Sequence, residues 1–105
     1  MIRVAFLKRG KQLCGFEIQG HAGYAEQGRD IVCAAVSSAA YLTANTLTEV
    51  CGCRADVQET EGRLSVKVLS GEESAAQTTL KGLQLHLEGL CAQYSKYIQL
   101  QLTEV

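Results

Sequence analysis

The sequence predicts an α+β domain: one mainly antiparallel sheet packed with two helices, in the order β-β-α-β-β-α-β. Three observations carry the prediction. Short runs alternate apolar and polar residues at the period of a strand, and two longer stretches repeat apolar residues at helical spacing. Glycine alone punctuates the chain, which has 10 glycines and no proline in 105 residues. A chain of this length that is 47% hydrophobic can bury one compact core but not two. Residues 1–105 are therefore expected to form a single domain.

The first strand is read from Ile2, Val4 and Phe6, which alternate with Arg3, Ala5 and Leu7. The turn "KRGK" leads into Leu13 to Gln19, where Cys14, Phe16 and Ile18 share a face, so the two runs form a hairpin. After the stretch Gly20 to Arg29, Asp30 is suited to cap a helix from Ile31 to about Val50, with Gly52 as the stop. That helix is apolar nearly all round and is expected to be buried on more than one side. Ala55 to Glu59 and Leu64 to Leu69 flank "TEGR" as a second hairpin. Ser70 and Glu73 have the spacing of a capping box ahead of a second helix, whose Leu80, Leu83, Leu87, Leu90 and Tyr94 recur at helical intervals. Ile98, Leu100 and Leu102 alternate with polar residues in a last strand.

Charge and composition narrow the function. Ten basic residues against 11 acidic ones, a net charge of −1, give no electrostatic reason to bind a phosphate backbone, so nucleic acid is not an expected partner. No stretch is expected to span a membrane, and "MIRVAFLKRG" lacks the pattern of a secretion signal. A cytoplasmic protein is expected. Its five cysteines, an odd number, then read as reduced thiols. Cys14 and Cys91 fit the apolar faces of a strand and a helix. Cys51 and Cys53 form a C-x-C pair with no second pair at ligand spacing, so no metal site is predicted and no cofactor is expected. His86 reads as a solvated flank of the leucine stripe. Lys8, Arg9 and Lys11 read as a solvated hairpin tip.

The loop Gly20–Arg29 stands apart. Gly20, Gly23 and Gly28 make its backbone permissive, and it joins a strand end to a helix start with no evident packing role. Function is expected there. Cys33 is the third residue of the predicted helix, where free backbone N–H groups and the helix dipole favour a thiolate and can also stabilise an oxyanion. His21 can take the thiol proton and return it to a leaving group. Asp30, itself anionic, opposes ionisation of the thiol and suits a cap and loop anchor better than an activator. Ser37, one turn after Cys33, lies on the same helical face. A buried cysteine acting as a small hydrophobe and an ordinary loop histidine explain the two residues separately. The residues alone leave both accounts open.

The stretch "GHAGYAEQGRDIVCAAVS", residues 20–37, closely resembles the signature of the ribosomal-processing cysteine proteases, the Prp family. The predicted element order also matches along nearly the whole chain. The resemblance implies an endopeptidase that removes an N-terminal extension from a bacterial large-subunit ribosomal protein of the L27 type during ribosome assembly. It makes Cys33 the nucleophile and His21 its base, with Asp30 and Ser37 in support. It further implies a homodimer, an apolar peptide substrate, and a flexible loop bearing Gly20, Gly23, Tyr24 and Gly28, with Tyr24 suited to close over the peptide. The alternative is a non-catalytic ribosome-assembly factor that binds a ribosomal protein or RNA through the same loop.

Overall fold

The computed structural model describes residues 1–105. Its strands are β1 (Ile2–Arg9), β2 (Gln12–Gln19), β3 (Ala55–Thr60), β4 (Arg63–Val68) and β5 (Ile98–Glu104), and its helices are α1 (Ile31–Asn45) and α2 (Glu73–Gln93). One sheet holds all five strands in the order β3-β4-β2-β1-β5. Every pairing is antiparallel except β1 with β5. The architecture is the predicted α+β one.

Alternation sets the two faces of the sheet. Val66, Phe16 and Phe6 lie side by side across β4, β2 and β1, as do Leu64, Ile18 and Val4. Arg3, Glu17, Ser65 and Arg63 occupy the other parity, and Glu17 accepts from both Arg63 and Ser65. The apolar face joins the helices in one core cluster of 22 buried residues, which includes Val32, Val36, Ala40, Leu80, Leu83 and Leu87. The register of β1 and β2 shifts between Leu7 and Lys8. Gln77 of α2 bonds the Leu13 backbone there through both its amide oxygen and nitrogen. Gly15 admits no side chain, because a Cβ would lie 2.1 Å from the Val66 carbonyl oxygen.

Four expectations are corrected. Segment Ile31–Val50 has 20 residues of mean hydropathy 1.3, long and apolar enough to cross a membrane by length and composition. Its serines and threonines interrupt the apolar run without adding charge. In this fold the segment buries Val32, Val36, Ala40, Ala44 and Leu47. Only one side is covered, however, and Ile31, Tyr41, Leu42 and Val50 are exposed. Its last turn, Thr46–Val50, is π-helical. There the hydroxyls of Thr43, Thr46 and Thr48 donate to carbonyls four residues back, in competition with the helical ladder.

The capping box of Ser70 and Glu73 does not form, since α2 begins at Glu73 and no side chain caps it. Glu73 instead accepts from the Gly71 amide at 2.7 Å and pairs with Arg9 at 2.7 Å. The Arg9 guanidinium holds the Glu73 carboxyl below its ordinary range. Arg9 is thus no solvated hairpin residue; it ties β1 to the start of α2 and also reaches the Val68 carbonyl.

Candidate active site

The site is assembled where β2, the following loop, the start of α1 and the β3–β4 turn meet. Asp30 organises it. One carboxylate oxygen accepts from the amides of Val32 and Cys33, each at 3.0 Å, and so caps α1. The other accepts from Tyr24 at 3.0 Å and Ala25 at 3.4 Å, and so holds the loop. The carboxyl is held below its usual range, first by the Cys33 amide and then by those of Ala25 and Tyr24, against the opposing effect of burial.

Cys33 is the third residue of α1 and is half-buried. The first-turn amides that the sequence reading left free are taken, those of Val32 and Cys33 by the Asp30 carboxylate and that of Ala34 by the Asp30 carbonyl. Neither the Val32 nor the Cys33 amide is open to an oxyanion in this state. The sulfur's donor comes from the loop instead, where the amide of buried Ala22 lies 3.2 Å from Cys33 Sγ. That contact fixes the residue after His21 directly beside the sulfur.

His21, next to Ala22, is exposed. Its ring faces the β3–β4 turn, for a Cβ built on Gly62 would lie 3.5 Å from His21 Nε2. The Gly20 amide donates to the Gly62 carbonyl at 2.9 Å and fastens the loop start to that turn. Gly62 has φ +74° and Gly20 φ +88°, and a Cβ on Gly20 would meet the Met1 carbonyl oxygen at 2.6 Å. Glycine is required at both positions.

Two clefts share His21, Cys33 and Ser37. One, of about 180 Å³, lies between α1 and the β3–β4 hairpin, with Ile2, Ile18, Val36, Ala40 and Leu64 among its apolar lining. The other, of about 640 Å³, runs along Gly23, Gly28 and Asp30 past the helix start. An extended peptide can therefore lie across the sulfur with a part in each cleft. Ser37 is exposed and, unlike the threonines further along, makes no bond back to a carbonyl. Its hydroxyl is free to meet a bound group.

The loop also packs more than expected. Tyr24 sits edge-on to Tyr94 and Tyr97, with ring centroids 5.8 Å and 5.2 Å away. Loop geometry and a lone aromatic do not reveal such a partner when the other two rings lie seventy positions away. Sequence reading also missed Ala22, Tyr41, Thr60, Gly62 and Arg63. Only the small residue after His21 and the glycine of the second turn carried any signal of them.

The remaining thiols differ. Burial pushes those of Cys14 and Cys53 up from the ordinary value. Cys91 donates to the Ile98 carbonyl at 3.3 Å, and Cys51 is exposed.

Comparison with known proteins finds the same fold. The chain is similar in structure to the essential ribosomal processing protease Prp from S. aureus in complex with a covalently linked product peptide, at TM-score 0.90 and 24% identity, covering 97% of this chain and 99% of that one. The same S. aureus protease in complex with a substrate peptide matches at TM-score 0.84 and 23% identity, with the same coverage. SMU.848 from Streptococcus mutans matches at TM-score 0.82 and 29% identity, covering 100% of this chain and 96% of that one. No curated protein matches in sequence. The family model for cysteine protease Prp matches residues 1–99, and the chain therefore belongs to the Prp cysteine protease family.

Proposed function

We propose that this protease removes the N-terminal extension of a bacterial large-subunit ribosomal protein of the L27 type, with Cys33 as nucleophile and His21 as general base. One observation carries the reading: His21 and the half-buried Cys33, its sulfur met by the Ala22 amide, line the same two clefts of a Prp-family chain. The S. aureus ribosomal processing protease with its covalently linked product peptide supports an acyl-type path on this fold.

In that path the imidazole of His21 takes the Cys33 proton, and the sulfur attacks the scissile carbonyl carbon. The carbon–nitrogen bond breaks as the imidazolium returns the proton to the departing amine. Water, deprotonated by His21, then cleaves the thioester and frees the new carboxylate. Ser37 supplies a hydroxyl beside the reacting carbonyl. Asp30 acts on position, holding the nucleophile's helix and the base's loop with one carboxylate. Loop Gly20–Arg29 opens to admit substrate by releasing Tyr24, and closes by remaking its contacts. The protein works in the cytoplasm as a homodimer.

Incubation of the purified protein with the precursor ribosomal protein, followed by mass spectrometry, tests the reading. One cut near the precursor's N-terminus, lost in Cys33→Ala, is the expected result. Tight binding of an uncut precursor would instead assign the protein to non-catalytic ribosome assembly.

A further inference from the structure

Residues Cys33, Ser37 and Tyr41 are spaced four apart on α1 and line one cleft. At 1.5 Å of rise per residue, Tyr41 stands about 12 Å along the axis from the nucleophile. The residue is 47% exposed, yet its hydroxyl donates to the carboxylate of Glu59 on β3. That bond is the one side-chain hydrogen bond joining α1 to the β3–β4 hairpin, the two walls of the cleft. A phenol bonded to a carboxylate is held more firmly than one bonded to a neutral group. The hydrogen bond to Glu59 also pushes the Tyr41 hydroxyl up from its ordinary value, so it remains a donor across neutral pH.

The cleft's volume, about 180 Å³, compares with the roughly 150 Å³ of an apolar cavity that takes up benzene. A volume of that size suits one apolar side chain of leucine or phenylalanine size better than an indole ring. Ile2, Ile18, Val36, Ala40 and Leu64 belong to the packed core or border it and cannot yield. Tyr41 is exposed, as are His21, Ser37 and Thr60 on the same lining, and of these it alone is tethered to the opposite wall by a side-chain hydrogen bond.

We infer that Tyr41, tethered by Glu59, is the specificity-determining wall of the subsite beside Cys33 and limits the size of the substrate side chain bound there. The inference rests on the protease reading above. Peptides identical except for Ala, Leu, Phe or Trp at the residue before the scissile bond test it. The wild-type protein should prefer Leu and Phe over Trp. Tyr41→Ala should raise kcat/KM for the Trp peptide relative to the Leu peptide about tenfold or more, through KM, on the scale of hydrophobic-pocket discrimination. Tyr41→Phe and Glu59→Ala keep the ring but free it, and should shift the same ratio in the same direction by less. Should Tyr41→Ala not fold, these two carry the test. Unchanged ratios, or an equal loss on every peptide, would overturn the inference and leave the protease reading standing. A wild-type protein that cuts none of the peptides and not the precursor either would remove both.

Discussion

Replacing Cys33 separates chemistry from structure sharply. In Cys33→Ala the sulfur is gone and the Ala22 amide, 3.2 Å from it, loses its acceptor. An unpartnered buried donor costs about 1–3 kcal/mol. The two clefts at Cys33 let water replace the sulfur, which puts the cost near the lower end, about 1 kcal/mol. For a domain of this size that lowers Tm by about 4–8 °C. The effect on cleavage is of another order, since loss of a nucleophile costs on the order of 10⁶-fold. Cys33→Ser refines the comparison. Its hydroxyl still accepts from Ala22, so it should melt closer to wild type, yet it should be as inactive as Cys33→Ala because a hydroxyl ionises far less readily than a thiol. Thermal unfolding by circular dichroism and cleavage of the precursor followed by mass spectrometry give the two readouts. A folded Cys33→Ala protein that cuts within tenfold of the wild-type rate would refute the assignment of the nucleophile.

His21→Ala should slow cleavage by about 10²–10⁴-fold with little change in KM; wild-type turnover at neutral pH would show that another base acts. Iodoacetamide at neutral pH should label Cys33 and the exposed Cys51 well before Cys14 and Cys53, whose burial favours the protonated thiol; peptide mapping that finds Cys14 modified first would contradict this order. The carboxyls of Asp30, Glu72 and Glu73 are held below their ordinary values by the Cys33 amide, Arg54 and Arg9 respectively. Their stabilisation is present above the unfolded-state values of about 3.9 and 4.3 and is lost as pH falls through the lower folded-state values. Urea midpoints should therefore be level above about pH 5 and fall in acid, with a shallower fall in Asp30→Asn; an identical acid limb in that variant would exclude Asp30 from the linkage.

Strands and helices were legible because each buries one face and wets the other. Ile2, Val4, Phe6, Phe16 and Ile18 declare their parity locally, and the α2 leucines declare theirs at 3.6-residue spacing. Partnership is a different matter. Nothing in Ile98–Glu104 says that it pairs in parallel with β1, and nothing in "KRGK" says that Arg9 meets Glu73 across 64 positions. The same division runs through the site. Residues 20–37 form one contiguous segment, so the histidine, the cap, the cysteine and the serine could be read together. The rest of the cleft comes from β1, β2, the middle of α1 and the β3–β4 hairpin. Tyr41 and Gly62 entered the sequence reading only as members of a helix and a turn, because sheet order decides what each of them faces.

That division bears on what surrounds the proposed nucleophile. A helix start supplies positive potential through its unpaired amides, but here Asp30 occupies those of Val32 and Cys33 and adds its own negative charge. The helix therefore contributes geometry more than field. What the sulfur receives comes from Ala22, the residue directly after His21. The proposed base and the sulfur's hydrogen-bond donor thus sit on adjacent positions of one loop, and that loop is held by the other oxygen of the same Asp30 carboxylate and by Tyr24 against Tyr94 and Tyr97. Displacing the loop would withdraw the His21 imidazole and the Ala22 N–H together. On the proposed mechanism, the contacts that hold the loop against Cys33 are therefore as necessary to cleavage as the two reacting side chains.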